Sequence, residues 1–206
     1  MELNLADELI LLALDDEKGS LVVDSTYLSM ALSGSILLEL FLKKKIDIDS
    51  KKVKVIDRSR SGDEMIDIYL ELITESKKER SLRYWVENFS GKYSKIKRAI
   101  LDKLIRKSIL VEKESKILWI IPNNKYPAQN SRHENQLRKK LNTTLIRNEA
   151  TSTRDVMLLS LIDSSALTKE VFGKENLKEN TKKSKVLLMI LSFRALLIKA
   201  LKSFTT

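Results

Sequence analysis

Residues 27–42 read Tyr-Leu-Ser-Met-Ala-Leu-Ser-Gly-Ser-Ile-Leu-Leu-Glu-Leu-Phe-Leu. The run is apolar all round, with small residues at Ser29, Ala31, Ser33, Gly34 and Ser35. A helix with no polar face belongs at the centre of a fold, and a small middle lets neighbours approach closely. Glu39 interrupts it and needs a partner if buried. Upstream, residues 5–14 predict a shorter helix whose Asp7 and Glu8 complement the dipole of its first turn, with Gly19 as a stop. Downstream of Lys43-Lys44-Lys45 the period changes. Ile46 and Ile48, then Val53 and Val55, alternate with polar residues around Asp49-Ser50-Lys51-Lys52, as paired strands do.

The remaining elements follow the same signals. Ser61 and Glu64 stand at capping-box spacing before a helix over 65–73. A short helix over 82–89 holds Trp85 and Val86. Residues 92–107 place Ile96, Ile100, Leu101, Leu104 and Ile105 on one half of a helical wheel, with Lys95, Arg98 and Arg106 on the other. Next come Ile109-Leu110-Val111, a polar tip over 112–116 and an apolar run over 117–121, read as a hairpin ended by Pro122. Residues 123–130 read as a loop, and helices over 132–146, 154–172 and 185–204 complete the chain, with Ser152 and Asp155 at capping-box spacing and a polar linker over 173–184. The expected fold is mainly α, one compact helical domain over 1–206 with one or two β-hairpins.

The 206 residues carry 38 Lys and Arg against 28 Asp and Glu, a net charge of +10. Residues 1–76 hold 9 cations and 16 anions, net −7, so residues 77–206 hold 29 and 12, net +17. Such asymmetry marks one binding face and favours an acidic partner: anionic lipid, nucleic acid or acidic protein. With no Cys and one His, thiolate catalysis and Cys- or His-based metal clusters are excluded. No Gly-rich phosphate loop, nucleophile elbow or His-Glu-x-x-His pair is present. His133 reads as an exposed helix-start residue, and Asp15-Asp16-Glu17 as a solvated turn. The expectation is a protein that is not an enzyme and carries no cofactor or metal.

The acidic N-terminus lacks the basic start of a secretory signal, which points to the cytoplasm. Residues 186–201 are the most apolar stretch, but Ser192, Arg194 and Lys199 break it, so it reads as a buried helix.

The basic helix followed by the hairpin admits three readings. It resembles part of a winged helix, with Lys and Arg on DNA phosphates. It equally suits a membrane surface, where basic side chains meet anionic headgroups and Ile117, Leu118 and Trp119 enter the interface. In the third, the apolar strand packs in the core.

Beyond these patterns, the order of motifs resembles the Golgi phosphoprotein 3 family. The residues that carry the likeness are Asp7-Glu8-Leu9-Ile10-Leu11-Leu12-Ala13-Leu14 with Gly19, then Leu32-Ser33-Gly34-Ser35-Ile36-Leu37-Leu38-Glu39-Leu40 with Ile46. Ser61-Gly62-Asp63, Trp85, Leu104-Ile105-Arg106-Lys107-Ser108-Ile109-Leu110, the hairpin, and Arg154 before Leu158-Leu159 continue it. The resemblance implies a non-enzymatic, mainly helical domain that docks peripherally on the cytosolic face of membranes, the Golgi in a eukaryotic cell. It implies phosphatidylinositol 4-phosphate or a similar anionic headgroup as ligand, and cytosolic tails of membrane proteins as clients. Lys95, Lys97 and Arg98 are the expected lipid-binding residues. Ile117, Leu118 and Trp119 are expected to insert into the membrane or mediate self-association. The family's lipid pocket uses a Trp and Arg side chains, and these positions fall at Asp24, Ser33, Ser94 and Lys97, where Lys97 alone keeps the charge. A Lys lacks the planar fork of Arg, which implies attraction to anionic lipid in general more than recognition of one headgroup. Nucleic acid is the alternative partner.

Overall fold

The computed structural model describes residues 2–117, 121–122, 124–147 and 152–173. The first helix, α1 (Leu5–Ala13), starts at Asn4, whose side chain accepts the Asp7 N–H at 2.9 Å while the Asp7 carboxylate accepts the Asn4 N–H at 2.9 Å. That reciprocal cap satisfies two of the donors a helix start leaves open. Eight of its nine residues are buried, so α1 is a core helix.

Helix α2 (Ser25–Leu42) begins at Asp24, whose carboxylate accepts the Thr26 N–H at 2.7 Å. It is long and apolar enough to cross a membrane. Here it packs on α1 and on much of the rest of the fold, and Leu5, Leu28, Leu32, Ile36, Leu37 and Leu40 join in one core. Gly34 brings it against Leu161, whose side chain lies 3.6 Å from where a Cβ would stand. Glu39 finds the partners the sequence demanded: the Leu5 N–H at 3.1 Å and Lys43 at 3.8 Å. The expectation of burial all round fails on one edge, where Tyr27 and Met30 are 57% and 54% exposed.

The first hairpin is as read: β1 (Ile46–Asp49) pairs antiparallel with β2 (Lys52–Val55), Ile46 opposite Val55. Ser50 and Lys51 turn the chain with φ of +50° and +67°. A two-residue strand, β3 (Arg80–Ser81), adds to the far edge of β2 and gives the order β1-β2-β3. Between them lies α3 (Glu64–Thr74). Its cap corrects the expectation, because Asp63 rather than Ser61 accepts the Met65 and Ile66 N–H groups, at 3.1 and 3.3 Å. The Ser61 hydroxyl instead accepts the Asp63 N–H at 3.2 Å, tightening the turn before the helix.

Helix α4 (Leu82–Ser90), capped by Ser81, packs most extensively on α2. It buries Leu82, Trp85 and Phe89, and Phe89 meets Tyr69 of α3 edge-on at 4.6 Å. The basic helix is α5 (Tyr93–Arg106). After it the register of the second hairpin differs from the reading. Strand β4 (Lys116–Ile117) pairs with β5 (Ile121–Pro122), Ile117 opposite Ile121. Below them Lys113 bridges Lys125 and Leu110 bridges Ala128. Residues 112–117 therefore continue the first arm, and 124–128, expected as loop, belong to the return arm. Leu118 and Trp119 lie outside the described residues.

Helix α6 (Arg132–Arg147) follows, then α7 (Thr153–Ser164), whose cap Ser152 accepts the Asp155 N–H at 3.2 Å. The single helix expected over 154–172 is broken. Ala166 takes φ +62°, the Leu167 N–H closes on the Ile162 carbonyl at 3.0 Å, and α8 (Thr168–Phe172) restarts. The fold is mainly α and compact, with α2 at its centre. The helix expected over 185–204 lies outside the described residues.

Candidate functional site

Helix α5 forms because Ile96, Ile100, Leu101 and Leu104 recur at helical spacing and are all buried. Its charged side chains then divide into three kinds. Lys103 turns inward. It lies 2.5 Å from both Asp7 and Asp63, with Asn4 donating to Asp63 at 2.8 Å. Burial pushes the Asp7 carboxyl up, whereas Asp63, despite its own desolvation, is held below the usual carboxylate range by Lys103 and Asn4.

Arg98 points outward but is engaged. Its Nε lies 2.8 Å from Asp102, and its two terminal nitrogens donate to Glu112 at 2.7 and 3.2 Å. Asn124 and Tyr126 donate to the same carboxylate at 2.8 and 3.1 Å. Arg98 first, then Asn124, drive Glu112 down to about 2. The charge of Arg98 is thereby neutralised twice over, and the residue ties α5 to both arms of the second hairpin.

Lys95, Lys97 and Arg106 remain, with Arg106 exposed in the last turn of the helix. Lys95 is exposed on the outer face. Lys97 lies 5.4 Å over the ring of Tyr93, within the range at which a cation is drawn to an aromatic face. It also borders an open cavity of about 290 Å³. Ile10, Leu14 and Leu101 give that cavity an apolar floor, and Lys97 and Lys125 give it a cationic rim. The walls are the segments around Gly19 and Tyr126, joined by the Tyr126 N–H to the Gly19 carbonyl at 2.9 Å. Gly19 is required there: its φ is +62°, and a Cβ would stand 2.2 Å from the Pro127 nitrogen.

The four positions expected for a lipid pocket separate. Asp24 lies close enough to Tyr93 to help raise its hydroxyl pKa, after burial as the larger cause, and the Tyr93 hydroxyl has no partner among the described residues. Asp24, Tyr93 and Lys97 therefore form one cluster, with Ser94 exposed beside it. Ser33 does not join it, being fully buried with its hydroxyl donating to the Ser29 carbonyl at 2.8 Å. Ile117 sits in β4 at the end of the hairpin, opposite Ile121.

Sequence reasoning missed Lys125 and Tyr126, because their place depends on pairing with residues 19 and 113, which no local pattern shows. It also missed Tyr93, which could have been found as the residue one helical turn before Lys97. A family model described as Golgi phosphoprotein 3 (GPP34) matches residues 5–200 of the chain.

Proposed function

The chain belongs to the Golgi phosphoprotein 3 family, and from that premise we propose that it is a non-enzymatic peripheral membrane protein binding anionic phospholipid on the cytosolic face. The observation that carries this reading is the cavity with an apolar floor and a rim of Lys97 and Lys125, next to exposed Lys95. A phosphate headgroup suits the cationic rim and an acyl or glycerol segment suits the floor. Each cation held near an anionic leaflet adds about 1 kcal/mol of attraction, so three Lys supply weak, reversible docking that an inserted apolar residue strengthens. Leu118 and Trp119, in the connection from β4 to β5, fill that role, and Ile117 begins it. The same apolar tip offers a route to self-association. Arg98 acts in this account as the strut that orients the hairpin.

The site suits anionic headgroups in general more than one phosphoinositide. The Asp24 carboxylate stands within the cluster, and the cations that remain are lysines, point charges without a bidentate fork. The docked protein can then hold cytosolic tails of membrane proteins, at the Golgi in a eukaryotic cell.

Flotation with neutral and phosphatidylserine-containing vesicles at low salt tests the reading, with a duplex-DNA gel shift run beside it. Flotation with the anionic vesicles alone is expected. Failure to float with either, or sequence-selective DNA binding without vesicle binding, overturns it.

A further inference from the structure

A second cavity, of about 200 Å³, opens where β2, β3 and the end of α3 meet α4. Lys54, Arg58, Lys78 and Arg80 line it, with Glu79 as the one carboxylate among its lining residues. Lys54 is shared with Asp49, 2.9 Å away. Arg58, Lys78 and Arg80 make no ion pair with a carboxylate among the described residues, and Arg80 is steadied over the Tyr84 ring at 4.8 Å. These three exposed cations border one cavity from a strand edge and two loops, so an anion seated there is drawn to all of them at once.

A separate observation points the same way. Trp85 also lines this cavity and is 4% exposed, yet its indole N–H finds no acceptor among the described residues. A buried donor left unpaired is destabilising, and an oxygen-rich ligand seated in the cavity would supply the missing acceptor. Drug-sized ligands fill roughly 300–1,000 Å³, so this cavity suits a single phosphate-sized group. Arg is the side chain best shaped for phosphate oxygens, through paired N–H donors.

We propose that Arg58, Lys78, Arg80 and the Trp85 indole form a phosphate-binding site, separate from the cavity at Lys97, that takes a phosphate monoester or inorganic phosphate.

Line broadening of the ³¹P resonance of inorganic phosphate, titrated against the full chain, tests this. Saturable binding is expected, weakened roughly tenfold or more in the R58A/R80A double variant, since charge-assisted hydrogen bonds are the strong ones. Trp85→Phe keeps the ring and removes the N–H, so with its thermal midpoint retained it is expected to bind several-fold more weakly. Lys97→Ala is expected to bind phosphate as the parent does, which separates this site from the lipid-docking reading. Non-saturable broadening, or R58A/R80A binding as well as the parent, overturns the proposal. Vesicles of phosphatidic acid and phosphatidylserine at matched charge identify the source. Selective loss of phosphatidic acid binding in R58A/R80A assigns the site to a lipid headgroup, and unchanged vesicle binding with lost phosphate binding assigns it to a soluble phosphate.

Discussion

Arg98 grips Glu112 through two nitrogens, at 2.7 and 3.2 Å, and so fastens the middle of the basic helix to the first arm of the second hairpin, the arm that precedes Leu118 and Trp119 in the chain. The pair is half-exposed at Arg98, so it contributes orientation more than stability: exposed pairs are worth about 0.2–1 kcal/mol. Arg98→Ala and Glu112→Ala are each expected to speed amide exchange across residues 111–117 and 121–126, with the double variant no worse than either single one. Additive effects would show that the two residues act separately.

Lys103 places its cation between Asp7 and Asp63 in the core. Removing it alone leaves buried carboxylates without compensation, a loss of about 3–5 kcal/mol. Lys103→Met is expected to show that loss in urea unfolding. Adding Asp7→Asn and Asp63→Asn to it should recover much of the stability, and no recovery would mean that packing of the Lys stem, rather than charge, is what matters.

Much of the architecture was legible because apolar period and composition decide it locally. The 27–42 run could only be a central helix, and β1 and β2 alternate cleanly. What was not legible depends on distant partners. Lys103 looks like one more surface Lys until Asp7 and Asp63, 96 and 40 residues away in sequence, fold around it. The second hairpin slipped in register because its return arm, residues 124–128, is polar and takes its pairing from Lys113, Leu110 and Gly19. The break at Ala166 has no Gly or Pro to announce it. Of the candidate site, Lys95 and Lys97 could be named from the charge pattern, while Arg98 was named by type and its acidic partners were not foreseen.

Glu134, buried on α6, is raised to about 7 by desolvation and by the neighbouring Asp16 carboxyl, against the pull of Arg138 at 2.7 Å. A carboxyl with a folded-state pKa above its ordinary 4.5 binds its proton more tightly in the folded chain. Its contribution to stability is therefore lost as pH rises from about 4.5 through about 7. The loss is on the order of 1–3 kcal/mol. Asp57 and Glu112, both held down to about 2, change their contributions only at lower pH. Glu134→Gln is expected to flatten the stability dependence between about pH 5 and 8 in chemical unfolding, and an unchanged slope would assign it to another group.

Gly19→Ala forces a side chain into the backbone of Tyr126 and Pro127 and holds a non-glycine residue at φ +62°. A loss of roughly 1–3 kcal/mol is expected from the strain alone, with the return arm of the hairpin detached. Thermal unfolding and proteolysis within 121–128 check this, and a variant as stable and as resistant as the parent would show that the Gly19 contact is dispensable.

The most direct test of membrane docking is the affinity of a Lys95→Glu/Lys97→Glu variant for phosphatidylserine vesicles, measured by flotation with thermal unfolding as the control. Neither side chain packs in the core: Lys95 is exposed, and Lys97 lies on the cavity rim. At about 1 kcal/mol for each cation near the surface, reversing two charges predicts a fall in affinity of roughly tenfold or more. A folded variant that floats as well as the parent would contradict the account.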